Sequence, residues 1–148
     1  MKKIFLFLAA TTLFAADSIA QEWKVVTIVE SIVPGGMGRS RLIENTGAVD
    51  IEGLTTEREG NKSNAGKVDR KDVKESGENL KETKLVNFYS LVGINFGNIA
   101  ANDAVITAKI NDLTKQGWKL TFVTSGVESD AGEKDGNGIF ITRMYFSK

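Results

Sequence analysis

The sequence predicts an α+β domain, a mainly antiparallel sheet of four or five strands with one main helix packed on one face. Three observations carry the prediction. Ile106, Ile110 and Leu113 repeat at the four-then-three spacing of a helix stripe, with Lys109, Asn111, Asp112 and Lys115 on the other faces. Trp118 to Thr124 and Ile139 to Phe146 read as two strands joined by a polar run that ends in two glycine turn signals. From Glu22, the residues Trp23, Val25, Thr27 and Val29 alternate against Lys24, Val26, Ile28 and Glu30, the period of a third strand.

Met1 to Ala20 reads as a cleavable signal peptide, not as part of the fold. Lys2 and Lys3 form a basic start, Ile4 to Ala16 is an apolar core broken only by Thr11 and Thr12, and Ser18-Ile19-Ala20 places small residues where a signal peptidase cuts, after Ala20. The apolar run is 13 residues, short of the roughly 18 to 20 a bilayer-spanning helix needs. The expected location is therefore periplasmic or secreted, in a bacterial envelope, with no stable membrane insertion. Residues 21–148 make one domain of 128 residues. Without Lys2, Lys3 and Asp17 they carry 17 basic and 18 acidic side chains, a net charge of 17 − 18 = −1. That balance argues against a nucleic-acid surface, which needs a basic excess to displace counterions.

The first strand is extended by Ile32 and Val33 and broken by Pro34-Gly35-Gly36-Met37-Gly38, and Arg39 to Ile43 resumes it as a hairpin. The glycine run lacks the Gly-Lys-Ser/Thr ending of a phosphate-binding loop. Arg39 and Arg41, two apart on a strand, project to one side, where they can grip an anion or pair with acidic neighbours. Residues 45–84 are poor in apolar side chains, and Glu57 to Lys84 holds 15 charged residues in 28 positions. This stretch is expected to be a polar, mobile insertion, either a functional loop or a disordered excursion. Order is expected to return at Leu85, with apolar residues on both parities through Phe96, as in a strand buried on both faces. The main helix is placed at Asp103 to Gln116, with Asn102 or Asp103 as its N-cap. Gly117 is its C′ residue, so that Trp118 folds back onto Leu113 in a Schellman ending. The expected core is Trp23, Val25, Ile28, Val86, Phe88, Ile106, Ile110, Leu113, Trp118, Leu120, Phe122, Ile141 and Tyr145.

The chain has no histidine and no cysteine. This excludes a serine–histidine–acid triad, a thiolate nucleophile, disulfides and zinc sites of the usual nitrogen and sulfur ligands. No cofactor fingerprint is present, and no cofactor is expected. The acidic run Glu128 to Gly138 superficially resembles a calcium loop. Its twelfth position, counted from Glu133, is Met144 and not a bidentate carboxylate, so Glu128, Asp130 and Asp135 offer at most a weak oxygen-ligand site.

Gly117-Trp118-Lys119-Leu120, the acidic hairpin tip, Gly138 to Phe146 and the opening Trp23-Lys24-Val25-Val26 together resemble small bacterial secreted α+β domains of unknown function, in which a helix ending in Gly-Trp is followed by a closing hairpin. The resemblance covers about 60 residues and implies the fold alone; the 45–84 insertion and the glycine-rich first hairpin depart from it.

The functional expectation is an exported, non-catalytic module that binds a protein partner in the envelope through the loops at 34–41, 52–84 and 126–138. Two alternatives stand beside it: a small-ligand or metal-ion binder using Arg39, Arg41, Glu128, Asp130 and Asp135, and a carboxylate-dependent hydrolase of envelope polysaccharide with two acids facing one cleft. An open sheet also leaves edge strands through which a homodimer can form.

Overall fold

The computed structural model describes residues 21–33, 37–128 and 138–148; residues 1–20, expected to be a signal peptide, residues 34–36, expected to be a turn, and most of the expected acidic hairpin tip lie outside them. Strands β1 (Trp23–Ser31), β2 (Met37–Asn45), β5 (Leu80–Val86), β8 (Lys119–Glu128) and β9 (Ile139–Ser147) form one antiparallel sheet in the order β5-β2-β1-β9-β8. Helix α3 (Phe96–Lys115) packs on one face of it. The fold is the α+β architecture that the periodicities predict. Its centre is the nine-residue pairing of β1 with β9, from Trp23 opposite Ser147 to Ser31 opposite Ile139.

The helix covers the face bearing Val26 and Ile28 of β1. These side chains, with Leu42 of β2, Leu85 of β5, Met144 and Phe146 of β9 and Leu113 of the helix, form the buried core, flanked by Val105, Ile106, Ile110 and Trp118. The expectation that Trp23 and Val25 are core is overturned: they stand on the opposite parity, and Trp23 is 55% exposed. Both parities of β1 are apolar, so alternation alone does not say which face the helix takes. Phe122 leaves the expected core for a second reason. Leu120 pairs with Phe146 but Phe122 with Tyr145, an irregularity of one residue that turns Phe122 to the uncovered face.

The helix ends as the sequence predicts. Gly117 adopts φ +89, Trp118 N–H donates to Leu113 O at 3.0 Å and Gly117 N–H to Thr114 O at 3.0 Å, the paired bonds of a Schellman ending. Lys24 and Lys148 lie over the Trp118 ring at 5.0 and 6.0 Å. Its start differs: the helix begins at Phe96, two turns before the expected cap, with Asn95 Oδ1 accepting from Asn98 N–H at 3.2 Å. Asn102 is therefore a mid-helix residue with a tertiary task. It is 1% exposed; its Oδ1 accepts from Val86 N–H at 2.9 Å, and its Nδ2 donates to Val86 O at 2.8 Å and Glu30 Oε1 at 3.0 Å. Lys109, expected on a solvent face, reaches from the helix down to the buried Glu44 of β2 on the face beneath it; Lys stems reach far enough along apolar surface to do this.

Between β2 and β5 lie α1 (Ile51–Leu54), the small hairpin of β3 (Arg58–Glu59) and β4 (Lys62–Ser63), a 3₁₀ turn at Ala65–Lys67 and α2 (Arg70–Glu75). No residue from 45 to 84 is buried. The strand expected to begin at Leu85 begins at Leu80 and is an edge strand, and the apolar residues after it do not continue it. They form a two-residue hairpin, β6 (Tyr89–Ser90) with β7 (Gly93–Ile94), whose tip leaves Leu91 and Val92 89% and 97% exposed. Gly93 at φ +117 permits that turn.

Candidate functional site

Two surfaces stand out among the described residues. The first is the sheet face opposite the helix, read off the strand registers. Across it run the rows Val25–Tyr145–Phe122, Glu82–Ile43–Thr27–Arg143–Thr124 and Lys84–Arg41–Val29–Ile141–Gly126. Phe122 is 60% exposed and its ring lies 5.9 Å from that of Tyr145. Trp23 and Val25 continue the apolar band to the strand end, and no described element lies over it. The charges on this face are Arg41, Lys84, Lys119 and Arg143 against Glu82 and Glu128, a cationic excess. Arg41 Nη1 meets Glu82 Oε1 at 2.7 Å, and both side chains are partly exposed, so this pair holds little energy and much orientation.

The second surface is a cleft of about 340 Å³ between the start of α3 and the β8–β9 end of the sheet, lined by Glu30, Phe88, Ile99, Asp103, Ser125, Phe140 and Thr142. Asn102 fixes the Glu30 carboxylate from behind, and the Phe88 ring meets Phe140 edge-on at 5.5 Å. A polar network holds this corner in place. Ser31 N–H donates to Ser40 Oγ at 2.9 Å, Ser40 Oγ to Asn87 Oδ1 at 2.7 Å, and Asn98 Nδ2 to Asn87 O at 2.7 Å. Two carboxylates, two hydroxyls and two phenyl rings around one cleft suit a small organic cation or a polyol: the acids accept from or neutralise the ligand, and the rings exclude water.

The sequence-based site residues are scattered by comparison. Arg39 is exposed on β2, Arg41 is paired with Glu82, and Glu128 closes β8. Asp130 and Asp135 lie outside the described residues. Among the described residues no group of three or more acidic side chains is placed to hold a metal ion. The described residues that flank the glycine-rich and acidic segments, Ile32, Glu128 and Gly138, meet at one end of the sheet. Ile32 N–H donates to Gly138 O at 3.4 Å, and a side chain at Gly138 would come within 3.1 Å of Glu128 O and 3.2 Å of Ile32. Glu30 and Asp103 were not legible as a pair, because they lie far apart in sequence and only the packing of α3 brings them to one cleft.

Fold and surfaces together define a single-layer antiparallel sheet with a helix on one side and an apolar, cation-bearing face on the other. No family model, no characterised protein and no solved structure matches the chain.

Proposed function

We propose that this chain is an exported, non-catalytic binding module of the bacterial cell envelope whose protein partner lies across the uncovered face of the sheet. The observation that carries the reading is the row Val25–Tyr145–Phe122, exposed at Val25 and Phe122, half-buried at Tyr145 and extended by the exposed Trp23, on a face that no described element covers. A contiguous apolar band rimmed by polar groups marks an interaction surface, and rigid aromatic side chains on it are the residue types that anchor interfaces. The cationic excess around the band selects a partner surface that is apolar at its centre and acidic at its rim. Basic export features at Lys2 and Lys3, followed by the apolar Ile4–Ala16 run, support the location.

The test compares binding of envelope proteins to the wild type and to variants on the two faces. Val25→Glu, on the uncovered face, is expected to abolish retention of the partner and leave the far-ultraviolet circular dichroism unchanged; Ala108→Glu, on the exposed side of α3, is expected to leave retention intact. Equal retention by both variants contradicts the reading.

A second reading, a small-ligand site, is favoured by the cleft at Glu30 and Asp103. Here Asp103→Asn is expected to remove the thermal stabilisation given by organic cations, and an unchanged midpoint shift contradicts it.

A further inference from the structure

We propose that the chain forms a homodimer by antiparallel pairing of β8 with the β8 of a second copy, with Thr124 on the two-fold axis. The two edges of the sheet are not alike. At the β5 edge, both backbone groups of Val86 are taken by the Asn102 side chain. The β8 edge is ten residues long, pairs among the described residues only with β9, and is exposed at every position. A long strand with an unpaired row of amides and carbonyls is a template for another strand, and soluble proteins normally blunt it or use it; here the one irregularity lies near the start, between Leu120 and Phe122.

The sequence of β8 says which strand fits. A two-fold axis perpendicular to the sheet keeps each face on its own side, so facing residues must come from the same face. Leu120, Val123, Ser125 and Val127 share the helix face through their partners on β9; Lys119, Phe122, Thr124, Gly126 and Glu128 share the other. The extra residue between Leu120 and Phe122 shifts the phase by one. With Thr124 on the axis, Phe122 then stands opposite Gly126, Val123 opposite Ser125, Leu120 opposite Val127, and Lys119 opposite Glu128. Each of these pairs occurs twice. The aromatic ring lies over a glycine with no side chain, the aliphatic residues at the ends meet each other, and opposite charges close both ends of the ladder. Moving the axis by one residue sets either Lys119 against Gly126 or Phe122 against Glu128. Charge complementarity thus selects both a second copy as the occupant and one register. The product is a ten-stranded sheet with both helices on one side and one continuous uncovered face on the other.

The test uses the absence of native cysteine. Thr124→Cys places two thiols across the axis, where antiparallel partners sit about 4.5 to 5.5 Å apart between Cα atoms, within disulfide range. Val127→Cys places them six residues apart along the ladder, about 20 Å. Mild oxidation of the chain is expected to cross-link the first variant nearly completely and the second not at all. Sedimentation equilibrium checks the register without thiols: Lys119→Glu is expected to weaken dimerisation about tenfold, because two ion pairs become two repulsions, and adding Glu128→Lys is expected to restore it. Overturning results are a monomer at the highest soluble concentration, equal cross-linking of the two cysteine variants, or a charge swap that fails to restore association.

Discussion

Removing the Asn102 side chain is the sharpest perturbation of the fold. Asn102 is buried at 1% exposure and supplies both a donor and an acceptor to Val86, as well as a donor to Glu30. In Asn102→Ala those three bonds go, and Val86 N–H and C=O lose their partner on the outer edge of β5. At about 1 kcal/mol net per bond the loss is about 3 kcal/mol, with any unpaired buried group adding to it. For a domain of this size that is a fall of roughly 10 °C in thermal midpoint. Asn102→Leu keeps most of the volume and discards the polarity, so it is expected to lose as much as the alanine variant. Urea denaturation of both variants measures the loss directly. A leucine variant within about 1 kcal/mol of the wild type would refute the argument, because packing and not hydrogen bonding would then hold the helix to the edge strand.

Two further outcomes test the remaining architecture. Val25 and Val26 are sequence neighbours on opposite faces, one 40% exposed and the other fully buried. Val26→Thr buries a hydroxyl among apolar side chains and is expected to cost about 2 kcal/mol, while Val25→Thr is expected to change stability by less than about 0.5 kcal/mol, both read by denaturant midpoint. Glu57 and Asn64 are tied by Asn64 N–H to Glu57 O at 3.2 Å and Glu57 N–H to Asn64 Oδ1 at 2.7 Å. Replacing residues 58–63 by Gly-Gly is therefore expected to leave the thermal midpoint within about 2 °C, since nothing removed is buried and short surface loops close at small entropic cost.

What the sequence made legible follows from how local each signal is. The Schellman ending at Gly117-Trp118 and the alternation in β1 are each specified within a few residues, and the structure has them where the sequence places them; the two strands of the closing hairpin are also present, but β8 runs on to Glu128 past the expected end at Thr124 and changes phase before Phe122. The choice of face was not legible. Trp23 is larger and more apolar than Lys24, so a reading that weighs residues one at a time buries the tryptophan, while the structure buries Val26 and Ile28 and stacks Lys24 on Trp118. Burial there is decided by where α3 lands, which depends on the whole sheet. The start of α3 was hidden for a related reason: Asn102 reads as a cap, because short polar residues favour helix ends unless a tertiary partner claims them. In this chain Val86 and Glu30 claim Asn102. The residues after Leu85 misled in the opposite direction, since Leu91, Val92, Ile94 and Phe96 have the composition of a buried strand and stand in solvent.

The candidate site was legible only in part. Arg41 was recognised as a residue for ion pairing, and its partner Glu82 lies on the adjacent strand 41 residues away, beyond any local pattern. The Val25–Tyr145–Phe122 row draws on three strands, and its exposure follows from the same unreadable choice of face.

Site-specific photo-crosslinking in envelope extract, with a photoreactive side chain at Val25 on the uncovered sheet face or at Ala108 on the helix, decides which face the partner occupies. A discrete cross-linked protein is expected from position 25 and none from position 108. A product from position 108 alone, or the same products from both, would contradict the assignment of the uncovered face as the binding surface.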